Sequence, residues 1–114
     1  MWLIILIFAI AAVIGLTMAI AAFQGNFPPV PSAVMHGVLA ATGLVLLILA
    51  VVQGATGAAV WALGFLLVAA LGGFGMAFGF HARKKPLSKG VVAGHAALAV
   101  IGFLLLLAGA LKLI

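Results

Sequence analysis

A chain of 114 residues that is 69% hydrophobic and 4% charged lies far outside the composition of a soluble globular domain and inside that of an integral membrane protein. It has no Asp, Glu or Cys, which excludes carboxylate acid/base catalysis, carboxylate metal sites, acidic proton relays, disulfides and thiolate ligands. The net charge of +5 is concentrated in one loop and is a topology signal, not a nucleic-acid footprint.

A spanning helix needs about 20 mostly apolar residues. Four segments qualify and use nearly the whole chain: Trp2–Phe23, Ser32–Gln53, Gly57–Phe80 and Leu87–Leu113. All are apolar around their full circumference, whereas transmembrane strands alternate. The expected fold is all-α, an integral membrane four-helix bundle forming a single domain over residues 1–114.

The first segment offers a cleavage-like Ala19-x-Ala21, but it lacks a basic start and its apolar run is long for a signal peptide. It is read as a mature helix, with a stripe of small residues at Ala12, Gly15, Ala19 and Ala22. The loop "QGNFPPVPS" follows, a stiff turn whose prolines end one helix and start the next. The second segment, "SAVMHGVLAATGLVLLIL", carries His36 near its start. The third has small residues at Ala70, Gly73 and Ala77, the GxxxG pair Gly75 and Gly79, and His81 at its end. Such residues let membrane helices approach closely.

Arg83, Lys84, Lys85 and Lys89 crowd the loop before the fourth segment, and only Lys112 lies at the other face. The positive-inside rule makes that loop cytoplasmic and both termini periplasmic, in a bacterial inner membrane. Trp2 and Trp61 then fall on the outer face, where an aromatic belt is expected. The fourth segment, "SKGVVAGHAALAVIGFLLLL", carries His95.

The two halves can be laid on one another, repeat 1 over about 1–53 and repeat 2 over about 57–114. At an offset of 58, Ala11, Ala12, Gly15, Met18, Ala19 and Pro28 fall on Ala69, Ala70, Gly73, Met76, Ala77 and Pro86. After a one-residue slip placed in the loop, His36, Leu39, Ala40, Gly43, Leu46 and Leu47 fall on His95, Leu98, Ala99, Gly102, Leu105 and Leu106. Each half is one hairpin, so the copies share an orientation and are related by a pseudo-two-fold axis along the membrane normal. A site on that axis receives one equivalent residue from each half.

Counted from Ser32 and Ser88, His36 and His95 lie roughly 6 and 10 Å into their spans, which are equal depths within the error of helix ends. A histidine inside a span needs a partner. Without carboxylates, that partner is another histidine, a carbonyl, a hydroxyl or a cofactor. A neutral imidazole ligates through one nitrogen while its other N–H fixes the ring. Two such rings on facing helices can be the axial ligands of a haem b, as cofactor sites in bundles are built. Ala40 and Gly43, like Ala99 and Gly102, would leave room for a porphyrin. Arg83, Lys84, Lys85 and His81 would meet its propionates. A Met/His cluster of Met18, Met76, Met35 and His36 suits Cu(I), although methionine in a membrane helix ordinarily packs.

The four-helix layout with His36 and His95 resembles the small membrane cytochromes b and the cytochrome b anchor subunits of membrane dehydrogenases. The resemblance implies haem b held by paired histidines and electron exchange with a quinone, a dehydrogenase or another cytochrome. Many such proteins hold two haems at different depths, and this chain offers one pair at one face. The alternatives are a structural or assembly subunit of a larger complex, with the histidines as interhelical hydrogen-bond sites, or a quinone-, lipid- or pigment-binding protein in which Ala77-x-x-x-His81 ligates a chlorophyll magnesium. Homo-oligomerisation fits either class. Triads, phosphate-binding loops and carboxylate pairs are absent, so no independent catalytic activity is expected.

Overall fold

The computed structural model describes residues 1–114 as four helices without strands. They are α1 (Trp2–Phe23), α2 (Val30–Val52), α3 (Ala58–Met76), which runs on as a π-helical segment over Ala77–His81, and α4 (Lys89–Ala110). Each is long and apolar enough to cross a membrane. Helix α2 starts two residues before the predicted Ser32, because Pro31 sits in its first turn, where a missing N–H is harmless. Helix α4 stops at Ala110, three residues before the predicted end, because the backbone turns left-handed at Lys112 (φ 59°).

All four helices end in the same way. The amide of a left-handed residue just past the helix, and the next amide, reach back to the carbonyls of the last turn in the Schellman pattern. The pairs are Gly25 to Ala22 and Asn26 to Ala21, Gly54 to Val51 and Ala55 to Ala50, Lys84 to His81 and Lys85 to Phe80, and Lys112 to Gly109 and Leu113 to Ala108. This motif needs a left-handed residue. The first hairpin supplies Gly25 and Gly54, whereas the second uses Lys84 and Lys112, at φ 56° and 59°.

Gly25 and Lys84 both hold a left-handed position, 59 residues apart, and the helix-capping residues Pro29 and Ser88 are likewise 59 apart. Between α3 and Lys84 lies the π-helical segment, where a turn accommodates one more residue than an α turn.

The helices form a closed square. α1 packs on α2, and α3 on α4; α1 also meets α4 and α2 meets α3, leaving α1 diagonal to α3 and α2 diagonal to α4. The molecule is 42 Å long, close to the roughly 40–45 Å of a bilayer with its headgroups. Its outer surface is apolar, as at Leu71 and Phe78; a continuous apolar surface of this kind does not suit water.

The packed core occupies the half near the termini and the α2–α3 turn, around Ile4, Ile5, Phe8, Leu47, Ala59, Ala62, Leu66 and Leu106. Gly43 and Gly102 make it possible. A Cβ at Gly43 would stand 2.8 Å from Phe8 Cζ, and one at Gly102 only 2.7 Å from Leu66 Cγ and 3.3 Å from the Ala62 carbonyl oxygen.

Overpacking a tight core position costs about 1–3 kcal/mol, so Gly102→Ala is expected to lower the Tm of the detergent-purified protein. Gly37→Ala, on open helix surface, should leave it unchanged or slightly raised. Lys112→Gly should raise stability by about 1 kcal/mol by relieving a left-handed side-chain residue. A thermal unfolding series on the three variants checks both signs.

Candidate functional site

The other half of the bundle, towards the 24–29 and 82–88 loops, holds all three histidines. His36 sits on α2 and His95 on the diagonal helix α4, each half-buried, with ring centres 6.2 Å apart and planes at 73°. Two distant stretches of sequence thus meet across the bundle.

Each ring is fixed by the other helix of its own hairpin. His36 Nδ1 lies 2.7 Å from the Ala11 carbonyl oxygen on α1, and His95 Nδ1 lies 2.7 Å from the Ala69 carbonyl oxygen on α3. A carbonyl only accepts, so Nδ1 must carry the proton in both rings. In the neutral imidazole this leaves the lone pair on Nε2, the tautomer found when a histidine is oriented to ligate through Nε2. Neither Nε2 has a hydrogen-bond partner within the chain. No buried side-chain nitrogen or oxygen is left unpartnered, so both Nε2 atoms retain access to space outside the protein atoms. Two neutral Nε2 lone pairs cannot bond to each other.

Glycines seat the rings. A Cβ at Gly15 would stand 2.8 Å from His36 Cε1, and one at Gly73 would stand 3.3 Å from His95 Cε1, with Gly72 just behind. The positions predicted to clear a porphyrin are distributed differently. Ala40 and Ala99 are half-buried one turn beyond the rings, whereas Gly43 and Gly102 lie deeper and receive Phe8 and Leu66.

His81 faces away from the pair. Its Nε2 donates to the Pro28 carbonyl oxygen at 2.7 Å, and its ring stacks on Phe27 with centres 4.4 Å apart and planes at 10°. It joins the end of the π-helical segment to the first loop. Arg83, Lys84 and Lys85 follow it, all exposed. No cluster of three potential metal-ligating side chains forms, so His36 and His95 stand as a pair.

Reading side-chain types finds the two rings but misses what holds them. The Ala11 and Ala69 carbonyls are backbone groups with no signature of their own, and Gly15 and Gly73 read as ordinary helix-packing glycines. The signal available was their recurrence 58 residues apart, one less than the 59 that separate the histidines. Comparison of the chain with protein-family models, with curated proteins and with solved structures finds no match.

Nitrogen NMR of histidine-labelled protein at mildly alkaline pH reads the tautomers directly. His36 and His95 are expected as Nδ1–H rings and His81 as an Nε2–H ring. Gly15→Ala should abolish the Nδ1–H signature of His36, since its methyl would collide with the ring. Gly73→Ala, with 0.5 Å more room, should preserve that of His95.

Proposed function

We propose that the chain is an integral membrane protein of two repeated hairpins that binds one haem b between His36 and His95 and works as an electron-transfer subunit. The observation that carries this reading is the ring pair itself, each ring locked by a carbonyl in the tautomer that leaves Nε2 free. The 6.2 Å between ring centres agrees with two nitrogen–metal bonds of about 2 Å plus about 1 Å from each ring centre to its nitrogen. Two imidazoles alone do not complete the shell of a tetrahedral or octahedral ion in a chain without carboxylates or thiols. A haem brings four equatorial nitrogens of its own and needs only axial ligands.

Gly15, Gly72 and Gly73 give their side-chain space to the two imidazoles, which lets the rings reach the α1 and α3 carbonyls that orient them. The repeat is supported by matched work at matched positions: Ala11 and Ala69 accept from the histidines, Gly15 and Gly73 seat them, and Leu47 and Leu106 fill the core. The propionates would point to the loop end, where every cation but Lys112 lies. That end is cytoplasmic under the positive-inside rule, with Trp2 and Trp61 at the outer interface of a bacterial inner membrane. The electron partners are a quinone, a dehydrogenase or another cytochrome. Redox chemistry belongs to the haem; the chain supplies ligands, orientation and a dry surround.

Protein purified from cells supplied with haem precursor should show a strong Soret band and a sharp α-band on reduction. His36→Ala and His95→Ala should each abolish that spectrum. A colourless wild type, or a spectrum unchanged in both variants, would sink the haem reading and leave a structural subunit. Reporter fusions should place residue 84 inside the cell, and residues 55 and 114 outside.

A further inference from the structure

Between the two loops at the histidine end lies a cleft of about 260 Å³, lined by Ala22, Phe27, Pro86 and Leu87 on its apolar side and by Asn26, Lys84 and Lys89 on its polar side. We propose that this cleft binds the phosphate of an anionic membrane lipid. The inference rests on the helices spanning a bilayer, and it takes Lys84 and Lys89 for the lipid, leaving Arg83 and Lys85 to the propionates of the proposed haem.

Two lysines, Lys84 and Lys89, border one cleft in a chain that has no Asp or Glu to neutralise them. Their counter-charge must come from outside the side chains. Lys84 stands in the left-handed position of its helix end, where the first hairpin has Gly25. A side chain there is unfavourable, and a lysine at a helix C-terminus recovers part of that through the dipole. Lys112 shares this conformation at the opposite end and has the same dipole benefit. The cleft is what sets Lys84 apart from it. Lys89 is the first residue of α4, whose first-turn amides add positive potential on the same side.

The source of the phosphate follows from the walls. Ala22, Phe27, Pro86 and Leu87 give the cleft an apolar side, and it opens at the ends of the helices, at the depth of lipid headgroups. A free anion gains nothing from apolar walls, whereas a lipid can lay its glycerol and upper acyl carbons against them. Basic residues beside a span attract anionic lipid by the same electrostatics.

Thermal unfolding in a neutral detergent tests this with added phosphatidylglycerol, phosphatidylcholine or inorganic phosphate. Phosphatidylglycerol should raise the Tm of the wild type, and phosphatidylcholine and inorganic phosphate should not. Lys84→Asn/Lys89→Gln should lose more than half of that response; asparagine tolerates the left-handed backbone. Lys112→Asn, with the same backbone and charge change at the other end, should respond as wild type. Lys89→Gln alone, at an exposed first-turn position, should also weaken the response and keeps the test open should the double variant not fold. The phosphatidylglycerol response should persist in His36→Ala/His95→Ala. Equal responses to the two lipids, or a full response in Lys84→Asn/Lys89→Gln or in Lys89→Gln, would overturn the proposal. An inorganic phosphate shift matching that of phosphatidylglycerol would make the cleft a free-anion site. Loss of the response in the histidine variant would assign the lysines to the haem instead.

Discussion

The hydrogen bond from a histidine Nδ1 to a helical carbonyl is the interaction on which the histidine half of this bundle depends. A helical carbonyl already accepts from the amide four residues on, and its second lone pair is free to take the imidazole. In hydrocarbon surroundings an imidazole with neither nitrogen satisfied is costly. With no carboxylate in the chain, the Ala11 and Ala69 carbonyls supply the acceptors. The bond does three things together: it satisfies one nitrogen, it fixes the tautomer, and it aims the other nitrogen. It also ties each hairpin internally, α1 to α2 and α3 to α4.

That bond requires close approach, and close approach explains the glycines. Gly15 and Gly73 lie one turn along from the accepting alanines, where a side chain would push the ring off its carbonyl. Deeper in the bundle Gly43 and Gly102 serve a different need, admitting Phe8 and Leu66 into a core that otherwise has no room. The bundle therefore divides along its length. One half is filled by interdigitated side chains around Phe8, Leu47, Leu66 and Leu106. The other is lined by small residues around two polar rings and is the half suited to a ligand.

The π-helical segment after α3 is the main departure from symmetry between the hairpins. One added residue there lets His81 turn to the first loop, onto Phe27 and the Pro28 carbonyl, and tightens the loop end across the two hairpins. It does so without disturbing His95, because α4 begins after the added residue and keeps its register to α3 through Ala69. In the first hairpin the corresponding helix end is a plain α turn closed by Gly25. π segments of this kind occur often at functional sites. Here one stands where the loop cations begin.

The sequence by itself determined the four helices, their absence of strands, the candidate histidines and the cationic end. Those follow from local quantities: apolar run length, proline and glycine at helix ends, and residue type. It also marked Ala11, Gly15, Ala69 and Gly73 as recurring, without giving them a task. Only the tertiary structure decided that His36 and His95 face each other on diagonal helices, which nitrogen of each carries the proton, and that His81 serves the first loop. It also made the continuation of α3 π-helical over Ala77–His81 and gave Gly43 and Gly102 to the core. The physical reason is common to all of these. The partners are backbone carbonyls and empty space at glycine, and neither has a side chain by which a sequence could announce it.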